Sequence, residues 1–518
     1  MLVAYDLGLG KTVITLSAIE RLMEEGEVTE PGIVVCLSSL KYQWAASVEK
    51  FTDSKALVID GTPSQRAKQY AQAFDWANTG VDYVILNYEQ VVNDWKLVQN
   101  LPRGFVVADE ATAIKSFRSK RSKYMKKLHS DYKFALTGTP VENGKPEELY
   151  SIMQFVDSSV LGRFDLFDHT FIVRNNFGGV DRYRNISLLH KTMSQASVRK
   201  RQDDEDVAPY LPSTIFAEPM YVKFEPSARV LYNKIVGDLL EDLDSMMDSV
   251  GSGFDLFRYY DGQQSSDVTE FRGRVMSKLT ALRMLCDHPD LLRESADKFL
   301  NGSVKVIVEG EEKTADLPGY NGGSSYAADL KTSGLLDKLS KAPKLSALVS
   351  YIEDFLSQYD GNKVVIFTSY VSMADIICES LKGFNPTKYT GQMNAKEKES
   401  SKVRFQTDPL CRVLVSSDAG GYGVDLPQAN LLVNYDLPWN AGLAVQRNGR
   451  IRRASSTWKT VVIQDILMAG SVEVRQHAML QQKLSVASAV LDGEGINDKG
   501  GINLTVGSLR EFLSEVSV

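Results

Sequence analysis

Four apolar runs lie in the first third of the chain: GIVVCLS from Gly32, DYVILNY from Asp82, GFVVADE from Gly104 and KFALTGT from Lys133. Each is too short for a buried helix and too uniformly apolar for a strand with one wet face. Amphipathic stretches such as TVITLSAIERLMEE from Thr12 separate them. Buried strands that alternate with helices imply a parallel sheet covered by helices on both faces. The pattern returns near the C-terminus in KVVIFTS from Lys363, CRVLVSS from Cys411, NLLVNYD from Asn430 and TVVIQDI from Thr460. The expectation is therefore an α/β protein with two such lobes, at residues 1–165 and 336–482.

A chain of 518 residues exceeds what one hydrophobic core organises, which agrees with two lobes. Residues 166–335 read as a mostly helical insertion, with EPSARVLYNKIVGDLLEDLDSMM from Glu225 as its clearest helix. The stretch EGEEKTADLPGYNGGSSYAAD from Glu309 is polar and rich in Gly and Ser, and reads as a mobile loop. Residues 483–518 read as a linker, including GEGINDKGG from Gly493, and a short final helix. No repeat of solenoid period is present.

Composition excludes several classes. No apolar run is long enough to span a bilayer, and the start lacks the basic-then-apolar pattern of a secretory leader. Cys36, Cys286, Cys378 and Cys411 are scattered without a CxxC pair, so neither a zinc site nor a disulfide framework is indicated. They read as small core residues of a reduced, soluble, intracellular protein. A net charge of −7 rules out a general basic coat, so nucleic-acid contact would have to be local.

Five short stretches carry chemistry. DLGLGKT runs from Asp6 to Thr12, between the apolar LVAY and a helical pattern. Asp6, Leu7, Gly8, Leu9 and Gly10 would form a loop whose backbone N–H groups approach a phosphate. Lys11 would reach the terminal phosphates and Thr12 would ligate magnesium. Tyr5 stands where the strict phosphate-loop pattern has glycine, so a plain turn before a helix stays open. VVADEAT from Val106 ends a buried strand in Asp109 and Glu110, at the edge where parallel sheets bind ligands. Asp109 could hold the metal and Glu110 the attacking water, or the pair could be a helix cap. LTGTP from Leu136 suits a loop touching a phosphate or the other lobe, and a simple turn explains it equally well. QRNGRIRR from Gln446 places Arg450 and Arg453 three apart, on one face of an expected helix. They would bring positive charge to a nucleotide held by the first lobe, or form a solvated basic helix. SSDAGGYGVDLPQANLLVNYD from Ser416 sets Gly420, Gly421 and Gly423 after a strand, where backbone N–H groups could meet phosphates.

The motifs in this order resemble superfamily-two helicase-type ATPases of the Swi/Snf branch. VVCLSSLKYQWAASVEKF from Val34, LNYEQV from Leu86, DEAT from Asp109 and LTGTPVENGKPEELYSIMQFV from Leu136 extend the resemblance. So do RKRQDDEDVAPYLP from Arg199 and LRMLCDHPDLL from Leu282. The resemblance implies two RecA-like lobes that close on ATP and magnesium and step along double-stranded DNA without sequence specificity. It implies phosphate and metal roles for Lys11, Thr12 and Asp109, a water-activating role for Glu110, and completion of the site by Gln446, Arg450 and Arg453. Ser38, Ser39, Tyr88, Thr368 and Gly421 fall in stretches that touch DNA phosphates in that family. A monomer is expected, with no membrane contact, in the cytoplasm or nucleoid or in a nucleus. Thr112 replaces the family's histidine after Asp-Glu-Ala, and Lys398 stands where the family often has arginine. The family's adenine-sensing segment would precede Met1, so either adenine recognition is looser or the start lies upstream. The basic stretch KSFRSKRSKYMKKLHSDYK from Lys115 offers either a phosphate-tracking surface or a solvated helix. Besides a DNA-stimulated translocase, two readings stay open: a slow DNA- or protein-gripping module, and a remodeller of a protein bound to DNA.

Overall fold

The computed structural model describes residues 1–175, 179–254, 256, 266–308, 311–316, 323–418, 424–493, 499–500 and 505–516. The first apolar runs become strands β1 (Leu2–Tyr5), β2 (Gly32–Cys36), β3 (Ala56–Val58), β4 (Tyr83–Asn87), β5 (Phe105–Asp109) and β6 (Tyr132–Leu136). A short antiparallel pair, β7 (Ile172–Arg174) and β8 (Val180–Tyr183), precedes β9 (Ser197–Lys200). The first sheet has the order β3-β4-β2-β5-β6-β1-β9, and every pairing in it is parallel. Each strand serves two cores. Ile33 and Val35 of β2 enter one hydrophobic cluster, whereas Val34 and Cys36 enter the cluster on the opposite face. This is the strand period of two acting on a sheet covered on both sides, and it explains why the runs are apolar throughout.

The second sheet is built the same way. Strands β10 (Ser213–Phe216) and β11 (Met220–Val222) come first, followed by a hairpin of β12 (Ser303–Val308) and β13 (Glu311–Asp316). Then come β14 (Val364–Thr368), β15 (Thr387–Tyr389), β16 (Val413–Ser417), β17 (Leu431–Asn434) and β18 (Thr460–Met468). The order is β10-β18-β17-β14-β16-β15, all parallel, with β11 also paired to β18. Val364 and Ile366 face one core, Val365 and Phe367 the other. Two parallel-sheet lobes with helices are therefore the architecture.

The segment between the lobes is helical over Pro226–Val250, Ser266–Asp287, Pro289–Leu300 and Ser325–Thr332. It also feeds both sheets: β9 lies beside β1, with Leu2 opposite Ser197 and Tyr5 opposite Lys200, and β10 and β11 extend the second sheet. The expected mobile loop from Glu309 needs correction at both ends. Glu311–Asp316 is a strand held antiparallel to β12, and Ser324 caps the helix Ser325–Thr332 by accepting from the Ala327 N–H. Glu309, Gly310 and residues 317–322 lie outside the described residues. The linker from Gly493 does so for residues 494–498, and the final helix forms at Val506–Val516.

One helix, Val472–Asp492, belongs to both halves. Val472 and Met479 pack in the core of the helical segment, while Val486, Ala489 and Val490 pack in the core of the first lobe. At 1.5 Å per residue it is about 30 Å long, enough to reach from one lobe to the other.

Candidate active site

The chain leaves β1 through Asp6 and turns at Gly8 and Gly10, whose φ angles are +81° and +73°. Glycine adopts this left-handed backbone without the clash a Cβ would bring. Gly10 then begins the helix Lys11–Glu24, and no side chain caps that helix start. Its first N–H groups are therefore available to an anion. Leu9 closes the turn with a 3.4 Å bond to the Asp6 carbonyl, and Thr12 sits half-buried in the helix's first turn. The Lys11 ammonium donates to the carbonyls of Tyr5 (3.0 Å) and Asp6 (3.3 Å). Burial lowers its pKa, against the opposing pull of Glu110 and Asp109 and with Arg453 acting in the same direction as burial. Asp6 itself is turned away, accepting from Arg199 Nη1 at 2.6 Å and from the Gln202 N–H at 3.0 Å.

Two strands along, β5 delivers Asp109 and Glu110. Asp109 accepts from the Trp44 indole N–H at 2.8 Å, and its carbonyl accepts from the Tyr88 hydroxyl at 2.7 Å. Burial raises the Asp109 pKa, and the Trp44 bond and Lys11 oppose the rise. Burial, then the neighbouring Asp109, push Glu110 up to about 7. Glu110 holds φ +48°, a left-handed conformation costing a non-glycine residue about 1–2 kcal/mol. Strain of this kind persists only where the surroundings impose it. Here it leaves Glu110 Oε2 buried with no hydrogen-bond partner. The LTGTP loop adds Thr139, whose hydroxyl oxygen is also buried and unpaired.

The second lobe closes the cleft. Gln446 lies buried on the helix Ala441–Asn448. The expectation that Arg450 and Arg453 share a helix face is corrected: the helix ends at Asn448, and both arginines lie in the turn that follows. That turn carries them onto the phosphate loop. Gly8 lies so close beneath Arg453 that a Cβ there would sit 2.5 Å from Nη1. Arg453 Nη2 pairs with Asp425 at 2.7 Å, whereas Nε and Nη1 are buried and have no partner among the described residues. Arg450 is 6% exposed and acts electrostatically on Glu110. Gln446 Oε1 is likewise buried and unpaired.

Three contacts that the sequence motifs did not signal lock the halves together. Leu7 packs against Gly449, where a Cβ would lie 3.0 Å from its Cδ1. Glu142, just after LTGTP, takes Lys115 on one side and the Asn440 amide at 3.1 Å on the other. Its carbonyl accepts from the Gly442 N–H at 3.1 Å. Arg452 reaches Gln202 and Asp203.

The expected DNA contacts divide. Ser38 and Ser39 are exposed in a short turn at the end of β2. Tyr88 is corrected: it is 1% exposed and spends its hydroxyl on the Asp109 carbonyl. Thr368 is corrected too, being fully buried and donating to Asp436 Oδ2 at 2.6 Å. Gly421, with Gly420 and Gly423, lies outside the described residues. In the basic stretch from Lys115, only Lys120–Met125 is helical. Lys115 pairs with Glu142, Arg121 with Glu89, Lys126 bonds Ser151, and Lys127 stacks near Trp95 and Tyr124. Much of that charge is thus committed to the lobe itself.

The residues present suit a magnesium nucleotide. Two buried carboxylates with raised pKa values form a hard-oxygen set that a divalent cation would relieve. The unpaired guanidinium nitrogens of Arg453, above a glycine loop and a lysine, suit phosphate oxygens.

Comparison with known proteins accords with this geometry. Residues 1–291, more than half of the chain, match the SNF2-related domain, and residues 343–455 match the helicase conserved C-terminal domain. The chain is 23% identical over 497 residues to the putative ATP-dependent helicase/translocase YwqA of Bacillus subtilis, covering 95% of this chain and 46% of that protein. It is 25% identical to the DNA repair and recombination protein RAD54 of Saccharomyces cerevisiae, covering 95% and 53%. The chain spans about half the length of these curated relatives. Among solved structures, the Sulfolobus solfataricus SWI2/SNF2 ATPase core in complex with dsDNA aligns with 95% of this chain and 88% of that one, at 24% identity and a TM-score of 0.38.

Proposed function

The chain belongs to the SNF2-related family, and from that premise we propose that it hydrolyses ATP between its two lobes and uses the cycle to move along duplex DNA. The observation that carries the proposal is Arg453 of the second lobe seated on Gly8 of the first, its Nε and Nη1 unpaired above the Lys11 loop.

The roles follow from position. The loop Asp6–Gly10 and the uncapped helix start offer backbone N–H groups to the phosphates. Lys11 supplies a cation from within the fold, and desolvation strengthens its pull on a phosphate oxygen. Thr12 and Asp109 are the proposed magnesium ligands, and the metal, when bound, would neutralise phosphate charge. Glu110, with a pKa of about 7, exchanges its proton near neutrality and so can take one from an attacking water. Gln446, whose Oε1 is buried and unpaired among the described residues, is proposed to orient that water. Arg450 and Arg453 bring positive charge from the far lobe, a contribution worth about 10³–10⁵ in rate where such arginines have been removed. Because the arginines and the loop sit on different lobes, turnover requires closure, and closure is the motion that translocation can use.

Ser38 and Ser39, exposed at the end of β2, are the proposed phosphate contacts of the first lobe. Contacts of this kind position a backbone without reading sequence. A protein bound to DNA remains a proposed target of the same motion, separable by a displacement assay. The test is ATP turnover titrated with single-stranded, duplex and forked DNA. Stimulation greatest with duplex supports the proposal, and turnover indifferent to DNA contradicts it.

A further inference from the structure

Gln202, within the RKRQDDEDVAPYLP stretch, occupies a place between the two halves of the site, and no site role was expected for it. It follows β9, the strand that lies against β1. Its backbone N–H donates to Asp6 Oδ2 at 3.0 Å, and its side-chain Nε2 donates to the Leu7 carbonyl at 2.7 Å. Both acceptors are the opening residues of the phosphate loop. The opposite end of the same residue is held by the second lobe. Arg452 Nη1 donates to Gln202 Oε1 at 3.2 Å and Nη2 donates to the Gln202 carbonyl at 3.4 Å. Arg452 also pairs with Asp203 at 2.5 Å and bonds the Pro212 carbonyl at 3.2 Å.

These contacts close a ring. Leu7 and Gly8 are adjacent in the loop, and Arg452 and Arg453 are adjacent in the arginine turn. Arg453 lies on Gly8, and Gln202 joins Leu7 to Arg452. The arginine turn therefore cannot leave the phosphate loop without also breaking the Gln202 bridge. An amide is the group this place requires, because it donates to a carbonyl with one end and accepts from a guanidinium with the other.

We propose that Gln202 is a positioning residue for turnover, which couples the phosphate loop to the second lobe's arginine turn through Arg452. The inference rests on the ATPase reading above and adds to it the element that registers the two lobes. Gln202 touches no reacting atom. It acts by fixing where Leu7 and Arg453 meet.

Three variants separate the two ends. Gln202→Met keeps the length and the two backbone bonds but loses both side-chain bonds. Gln202→Glu keeps an acceptor for Arg452 but loses the donor to Leu7. Arg452→Met removes the far-lobe partner. Each is expected to lower kcat about tenfold while KM for ATP changes less than about threefold, since nucleotide binding to the first lobe is left intact. Gln202→Met combined with Arg452→Met is expected to be no slower than Arg452→Met alone, because the second variant already removes the ring. Losses that multiply in the double variant, or a KM that rises in step with the fall in kcat, would overturn the coupling.

A second measurement separates this inference from the ATPase reading. Dyes at Glu49→Cys and Lys382→Cys, one exposed site on each lobe, report lobe separation without nucleotide in a Cys378→Ser background. Gln202→Met is expected to widen that distance distribution, and an unchanged distribution overturns the inference. If the wild-type chain hydrolyses no ATP, the reading above fails while this distance test still decides the bridge.

Discussion

Both lobes run an interior strand into a helix, β1 into Lys11–Glu24 and β14 into Val371–Ser380, yet the two junctions are filled differently. In the first lobe the junction is a glycine loop with a lysine, and its one carboxylate, Asp6, is drawn off by Arg199 and Gln202. In the second lobe the junction already holds an anion. The Asp436 carboxylate accepts the Ser369 N–H at 2.9 and 2.7 Å and takes the hydroxyls of Thr368 and Ser369. Burial pushes its pKa up, but Arg447, Arg283 and these bonds outweigh burial and hold it below the usual carboxylate range. The same architecture thus leaves one strand end open to a phosphate and satisfies the other internally. This difference, and not the fold, is the ground for the proposal that the first lobe binds nucleotide and the second contributes arginines from its rim.

The comparison breaks most visibly if the internal anion is removed. Asp436→Ala removes the buried carboxylate 3.6 Å from Arg447 Nη2, leaving Arg447 only the Asp418 carboxylate at 2.6 Å, and strips the acceptor from the Thr368 hydroxyl and the Ser369 N–H. Losing one partner of a buried pair costs about 3–5 kcal/mol. The unfolding transition of the second lobe should move to lower denaturant by a corresponding amount, and an unmoved transition would mean the carboxylate does not fill that junction. The counterpart in the first lobe is smaller. Gly8→Ala must hold φ near +81°, which costs about 1–2 kcal/mol, and must seat its Cβ against Arg453. Turnover should fall at least about tenfold, that being the rate equivalent of about 1.4 kcal/mol. Part of the loss should return in an Arg453→Ala background, measured relative to Arg453→Ala alone, since only the backbone cost remains there.

The smallest effect sharpens the carboxylate assignment. Glu110 must be ionised to accept a proton, and burial with Asp109 sets its pKa at about 7. In the free enzyme kcat/KM should therefore fall about tenfold per pH unit below about 7 and level off above it. A profile flat to pH 5 would show that Glu110 ionisation does not govern the reaction.

How far the sequence foretold this depends on how local each signal was. Strands buried on both faces announce themselves as apolar runs, so β2, β4, β5, β6 and their counterparts in the second lobe were legible. Gly8, Gly10, Lys11, Asp109 and Glu110 stood out as candidates because a phosphate loop and a strand-end carboxylate are local patterns. The arginines were legible as charge but not as geometry, since the helix stops at Asn448 and the following turn is what aims Arg453. Short strands such as β9, with Arg199 and Lys200 in its four residues, carry no apolar signature and form only because β1 offers an edge. Tyr88 and Thr368 looked like surface contacts, yet each is turned inward by a partner far away in sequence, Asp109 and Asp436. Trp44 lies within VVCLSSLKYQWAASVEKF, and nothing in that stretch shows that its N–H supports Asp109. Gln202 was invisible for the same reason, as its meaning depends on Leu7 and Arg452, 195 and 250 residues away.

The proposed site has two unequal halves, one that binds nucleotide and one that completes the catalytic set. The direct test measures ATP binding and ATP turnover side by side in Lys11→Ala and Arg453→Ala. The expected result is that Lys11→Ala loses both, whereas Arg453→Ala binds ATP within about threefold of wild type and turns over about a thousandfold more slowly. Equal losses of binding in the two variants, or normal turnover in Arg453→Ala, would contradict it.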